Sequence, residues 1–121
     1  VTENLLADPF KAIAAINAWL DWRNTHLTGK EDDAMRVLKL GEEIGEASRA
    51  YIGMTGQNPR KGYTHTERQF LDELADVAVT ALCAIQHFTQ DEDKTRVLFA
   101  IKIQRIIERI DTDDRPLDPR V

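Results

Sequence analysis

Glu73-Leu74-Ala75-Asp76-Val77-Ala78-Val79-Thr80-Ala81-Leu82-Cys83-Ala84-Ile85 decides how this chain folds. From Val77 to Ile85 there is no charge, which predicts a helix apolar on nearly every side and therefore buried. The mouth of that helix carries Glu73 and Asp76, which at a spacing of three share one face, one turn apart. Like charges so placed repel, so they do nothing for the helix itself. Beside a buried segment such carboxylates have to be hydrated, paired or bound to a metal. Earlier in the chain Glu42-Glu43-Ile44-Gly45-Glu46 repeats the device, with Glu43 and Glu46 as the second pair. Two forks facing each other would form an all-oxygen site for a hard cation.

Working outward, the third helix of the chain begins at Thr64 or Thr66, since Thr64 with Glu67 and Thr66 with Gln69 both fit a capping box, and ends near Phe88. Asp76, Thr80, Cys83 and His87 share one side of it. Before it lies a second helix, predicted from Asp32 or Asp33 to the glycines Gly53 and Gly56, with Val37, Leu40, Ile44, Ala47 and Tyr51 as its apolar stripe. Glu43 falls at the edge of that stripe, Glu46 about 60° round it and Glu42 about 40° further. Glu43 and Glu46 are thus read as facing a pocket and Glu42 as a rim group. Lys39, one turn earlier, can neutralise Glu42 or Glu43. Gly41 and Gly45, four residues apart, predict a close approach by another helix.

Asp8-Pro9 opens a first helix, because Asp caps well and Pro suits the first helical position. It runs to about Thr25, and Trp19 and Trp22 on it are read as packing residues. The alternative role for Trp22, with Asn24, is to wall a nucleobase pocket. Residues 54–65 form a long loop whose Arg60, Lys61 and His65 either reach phosphates or stay solvated. Thr89 with Glu92 opens a fourth helix that runs to Ile110. Its Lys102 and Arg105 are either salt-bridged or a clamp for a triphosphate. The pattern then stops, and residues 111–121 are expected to form a disordered or partner-bound tail.

Composition narrows the function. The chain of 121 residues is 42% hydrophobic and 31% charged, as expected of one globular domain (1–121, core about 8–110). A net charge of -5 and no basic stripe argue against duplex nucleic acid as a partner. No apolar run is long enough to span a membrane, and no secretory leader is evident. Cys83, the lone cysteine, is expected to be free, reduced and buried. A cytoplasmic location follows as the expectation. The four helices are expected to pack as an all-α, antiparallel four-helix bundle with the acidic pairs opposed. No His stands three or four residues from a candidate acid on a helix, so a di-iron carboxylate site is disfavoured. Oxygen-only ligation suits Mg²⁺, with Mn²⁺ as a substitute.

At these residues the sequence resembles the MazG family of all-alpha nucleoside triphosphate pyrophosphohydrolases. The family pattern Glu-Glu-x-x-Glu, a variable spacer and Glu-x-x-Asp is matched by Glu42, Glu43, Glu46, Glu73 and Asp76, with Lys39-Leu40-Gly41, Val77, Lys102 and Arg105 in keeping. The resemblance covers residues 10–110. It implies that Glu43, Glu46, Glu73 and Asp76 hold Mg²⁺ against the phosphates of a nucleotide. Glu42 would serve as a ligand or as the group orienting the attacking water. It also implies attack of water on the alpha phosphorus, release of a nucleoside monophosphate and pyrophosphate, and assembly as a homodimer or homotetramer. Trp22, Asn24, Lys39, Arg60, Lys61, Lys102 and Arg105 are the candidate substrate contacts. The competing readings are a phosphoribosyl-nucleotide pyrophosphatase and a non-catalytic helical interaction protein of the same fold.

Overall fold

The computed structural model describes residues 2–111, and the expected tail lies outside them. The described residues form five helices and no strand: α1 (Thr2–Ala7), α2 (Pro9–Arg23), α3 (Gly29–Thr55), α4 (Glu67–Thr89) and α5 (Glu92–Asp111). The short α1 is an addition to the four helices read from the sequence. It carries none of the periodicity that marks the others.

Caps explain most boundaries. Asp8 precedes α2, and its Oδ1 accepts from the backbone N–H groups of Phe10 at 3.1 Å and Lys11 at 3.3 Å. Thr66 and Gln69 complete the capping box of α4, each side chain bonding the other's backbone N–H. Two starts differ from expectation. Helix α3 begins at Gly29 because Thr28, not an aspartate, caps it and accepts from the Glu31 N–H at 3.2 Å. Asp91 caps α5, accepting from the Lys94 N–H at 2.9 Å, while Thr89 turns its hydroxyl to Thr95 at 2.7 Å. Gly56 ends α3 in the left-handed region at φ 67°, which a glycine adopts without penalty.

Helices α3 and α4 make the most extensive pairing, and α4 also packs on α2 and α5. The pair is antiparallel. Asp33 meets His87, Glu43 meets Glu73 and Asp76, and the Tyr51 and Phe70 rings lie 5.4 Å apart. At the far end the loop over residues 56–66 folds back on α3, where the Thr64 N–H donates to the Gly53 carbonyl at 3.0 Å. A Cβ at Gly53 would collide with the side chains of Thr64 and His65.

The face that α3 buries shares only Leu40 and Ala47 with the expected stripe. Arg36, Glu43, Ala47 and Ala50 are buried, with Leu40 half-buried between them, while Val37, Ile44 and Tyr51 are exposed. This alternation of three and four residues is a seam of heptad type. It carries an arginine and a glutamate where apolar residues would be expected, so the purely apolar stripe beside it was the more visible one. Gly41 and Gly45 face open space rather than a neighbouring helix. Trp19 and Trp22 do not pack the core either. They are 57% and 67% exposed, with the Arg23 guanidinium 5.9 Å from each ring. Cys83 is buried and free as expected, and burial pushes its thiol upward.

Asp8 also ties the start of α2 to α5, accepting from Arg96 at 2.9 and 3.2 Å. That guanidinium holds the Asp8 carboxyl below the usual carboxylate range. A depressed folded-state pKa contributes stability that is full above the unfolded-chain value and is lost as the pH falls through the folded one. Asp8→Asn keeps a good cap but loses the ion pair. Its melting temperature should lie below the parent's at pH 7, and the gap should close as the pH falls below the ordinary Asp value. A gap independent of pH in thermal melts would refute this role.

Candidate metal centre

Helices α3 and α4 bring three of the predicted acids together at mid-length. One carboxylate oxygen each from Glu43, Glu73 and Asp76 lies within 4.8 Å of the others. Glu43 is only 9% exposed, Glu73 is half-buried and Asp76 opens to solvent. The spacing of three within Glu73-Leu74-Ala75-Asp76 aligns the α4 acids, and the antiparallel pairing with α3 presents Glu43 to them.

The electrostatics of this triad are unfavourable as it stands. Glu43 Oε2 and Glu73 Oε2 are buried, and neither has a hydrogen-bond partner. A buried carboxylate oxygen without a donor costs about 1–3 kcal/mol or more, and here like charges face one another. Lys39 is the one nearby compensation among the described residues. Its ammonium bridges Glu42 at 3.2 Å and Glu43 at 3.5 Å. The Glu42 carboxylate, and then Glu43, hold the Lys39 ammonium above its ordinary pKa, so it stays charged.

Two predicted acids stand apart from the triad. Glu46 is half-buried one turn further along α3, and Glu42 is exposed at the rim, as its position on the helix suggested. The donor set fits a hard divalent cation. It is all oxygen, it converges from two helices, and it leaves two buried lone-pair groups unsatisfied.

A pocket of about 440 Å³ lies beside the triad, lined by α2, α3, α4 and the 24–28 turn. Ile16, Leu20, Leu27, Met35, Val79 and Ala84 make it strongly apolar. Asn24, His26, Arg36 and Thr80 supply polar groups, and the Cys83 thiol also faces in. Lys39 and Thr80 both line it, each four positions from an acid of the triad (Glu43 and Asp76). One helical turn, about 5.4 Å of rise, therefore links the apolar chamber to the carboxylates.

The predicted substrate contacts divide accordingly. Asn24 and Lys39 line the pocket. Trp22 does not, and Arg60 and Lys61 sit exposed on the 56–66 loop. Lys102 and Arg105 line a separate open groove of about 650 Å³ along α5. Neither forms an ion pair with a described residue. The pocket residues themselves were missed, except Asn24 and Lys39. Ile16, Leu20, Val79 and Thr80 carry an ordinary helical pattern that looks like core, and only the tertiary arrangement leaves space between them.

Neither a family model, nor a curated protein, nor a solved structure matches this chain.

Proposed function

We propose that the chain is a Mg²⁺-dependent nucleoside triphosphate pyrophosphohydrolase built on an antiparallel helical bundle. The observation that carries this reading is the pair of buried, unpartnered oxygens of Glu43 and Glu73, converging with Asp76 beside an apolar pocket. Buried charge at that cost is retained where chemistry needs it. Glu43, Glu73 and Asp76 would hold Mg²⁺, or Mn²⁺ in its place, with Glu46 one turn along α3 available to the same ion. Bound there, the ion would screen phosphate charge, fix the reacting geometry and acidify a coordinated water.

The chain's own groups take the remaining roles. The pocket accepts the nucleobase, shedding water from its apolar faces, and Asn24, His26 and Thr80 offer hydrogen-bond partners to the base edge. Lys39 keeps an ammonium between that chamber and the acids, where the triphosphate lies. Glu42 at the rim accepts a proton from the attacking water. Its oxygen bonds to the alpha phosphorus as the bond to the bridging oxygen breaks, and the products are a nucleoside monophosphate and pyrophosphate.

The deciding experiment is pyrophosphate release from a panel of canonical and damaged nucleoside triphosphates, with Mg²⁺ and with chelator. Metal-dependent release supports the proposal. Absence of release from every triphosphate leaves a helical interaction protein of this architecture.

Assembly belongs to the same proposal. Val37, Ile44 and Tyr51 on α3, and Val97, Leu98 and Ile101 on α5, are all exposed in the protomer. Gly41 and Gly45 leave the α3 face smooth enough for a second backbone to approach. A homodimer or homotetramer covers these faces. Sedimentation velocity should show an oligomer, and Ile101→Glu should shift it toward monomer. A parent chain that sediments as a monomer at tens of micromolar would exclude the assembly.

A further inference from the structure

A second constellation lies at the opposite end of the α3–α4 seam from the 56–66 loop. There Asp21 from α2, Asp32, Asp33 and Arg36 from α3, and His87 from the end of α4 meet. The buried Arg36 guanidinium donates to Asp21 at 2.7 Å, to Asp32 at 3.1 Å and to the Asn17 side-chain oxygen at 2.7 Å. Three carboxylates against one guanidinium leave the cluster with two negative charges when the imidazole is neutral.

His87 is the unexpected member. Its side chain is nine-tenths buried. The Nε2 atom lies 2.6 Å from Asp33 Oδ1. Its Nδ1 atom is buried with no hydrogen-bond partner, and it points at Asp21 Oδ1, 3.6 Å away, and Asp32 Oδ2, 4.0 Å away. A hydrogen bond from the Nε2–H to Asp33 leaves the Nδ1 lone pair facing two anions. Only a positive charge satisfies that arrangement.

We infer that Asp21, Asp32 and His87 form a binding site for a borderline divalent cation such as Zn²⁺, Co²⁺ or Ni²⁺. One ligand atom from each of the three lies within 4.8 Å of the others. Two ligands on one tetrahedral zinc ion stand about 3.4 Å apart, so Asp21 at 3.6 Å from the imidazole nitrogen is nearly in place, while Asp32 at 4.0 Å has to move inward to close the site. Asp33 is the outer carboxylate that fixes the imidazole tautomer, a role metal-bound histidines commonly require. The imidazole nitrogen selects against Mg²⁺, which prefers oxygen, and so separates this site from the oxygen triad of Glu43, Glu73 and Asp76. A divalent ion cancels the two residual negative charges and ties together the ends of α2 and α4 and the start of α3. These segments frame the 24–28 turn, part of the pocket wall, so the ion positions that wall rather than taking part in phosphate chemistry.

The test is zinc titration of the untagged full chain by calorimetry, with Glu73→Gln used to disable the oxygen triad. One zinc equivalent should persist in Glu73→Gln. His87→Gln should weaken its binding at least a hundredfold, and Asp33→Asn about tenfold. Circular dichroism establishes that the variants are folded. Independently of any variant, the ¹⁵N resonance of His87 Nδ1 in the parent should move to the metal-bound range on adding zinc. The inference is overturned if zinc does not bind, or binds unchanged in a folded His87→Gln. It is equally overturned if the parent's His87 ring carries protons on both nitrogens at pH 7.5 and does not respond to zinc.

Discussion

Glu73→Gln should lower metal-dependent pyrophosphate release by about a hundred- to a thousandfold while making the chain harder to unfold. On the proposed reading, the first effect follows from removing one of the carboxylates that would hold the Mg²⁺ screening the phosphates, and the loss of a single electrostatic group costs about that much. The second follows from Glu43 and Glu73 both burying oxygens that no described donor meets. Replacing one carboxylate by an amide removes a like-charge contact and supplies an N–H that can donate to Glu43 Oε2. The gain should be about 1 kcal/mol, the net value of one buried hydrogen bond, read from urea unfolding in chelator. The parent alone should then gain stability on adding Mg²⁺, because an ion that binds only the folded state shifts unfolding by mass action. A variant less stable than the parent in chelator would mean that these oxygens are satisfied in a way the geometry does not show. A variant as active as the parent would remove Glu73 from the chemistry.

The second large effect belongs to Arg36. Only 6% exposed, it is held by two aspartates and an asparagine from two different helices. Arg36→Met keeps much of the aliphatic length but leaves Asp21 and Asp32 without their guanidinium. Breaking a buried pair from one side costs about 3–5 kcal/mol, and the one-third exposure of Asp21 places this case near the lower figure. For a domain of this size, a loss of about 3 kcal/mol is a large fraction of total stability. Calorimetry or a urea midpoint measures it. An Arg36→Met chain within 1 kcal/mol of the parent would show that the ion cluster is solvated rather than structural. Pyrophosphate release should fall as well, because Arg36 lines the pocket proposed for the nucleobase, although the oxygen triad lies further along α3.

What was legible in the sequence was local. Asp8-Pro9 and the Thr66–Gln69 box announce helix starts through bonds spanning three residues or fewer, and the structure makes those bonds. The three acids that converge were visible because spacings of three and a charge-free neighbour are chain-local facts. What was hidden depends on pairing between distant residues. Nothing local to the chain marks Arg36, because its partner Asp21 lies fifteen positions away. His87 reads as a polar residue at a helix end until α3 runs back past it and brings Asp33, fifty-four positions away, to its ring. The stripe on α3 was misplaced for the same reason. Val37, Ile44 and Tyr51 are the more hydrophobic set, but the seam chosen by α4 runs through Arg36, Glu43, Ala47 and Ala50. Hydrophobicity identifies a face to be covered without saying what covers it.

The α3–α4 pairing behaves like a beam resting on two piers. One pier is the cluster of Arg36, Asp32 and His87. The other is the Tyr51–Phe70 ring pair, with the Gly53 latch beyond it. Between them the span carries Glu43, Glu73 and Asp76, which load it rather than support it. A selection for heat resistance alone would therefore strip the acids at mid-span first, since almost any neutral replacement there relieves the load. Variants recovered by such a screen would gain melting temperature and lose the carboxylates together. Persistence of the acids under a stability screen with no demand for activity would mean that the span is not loaded at all.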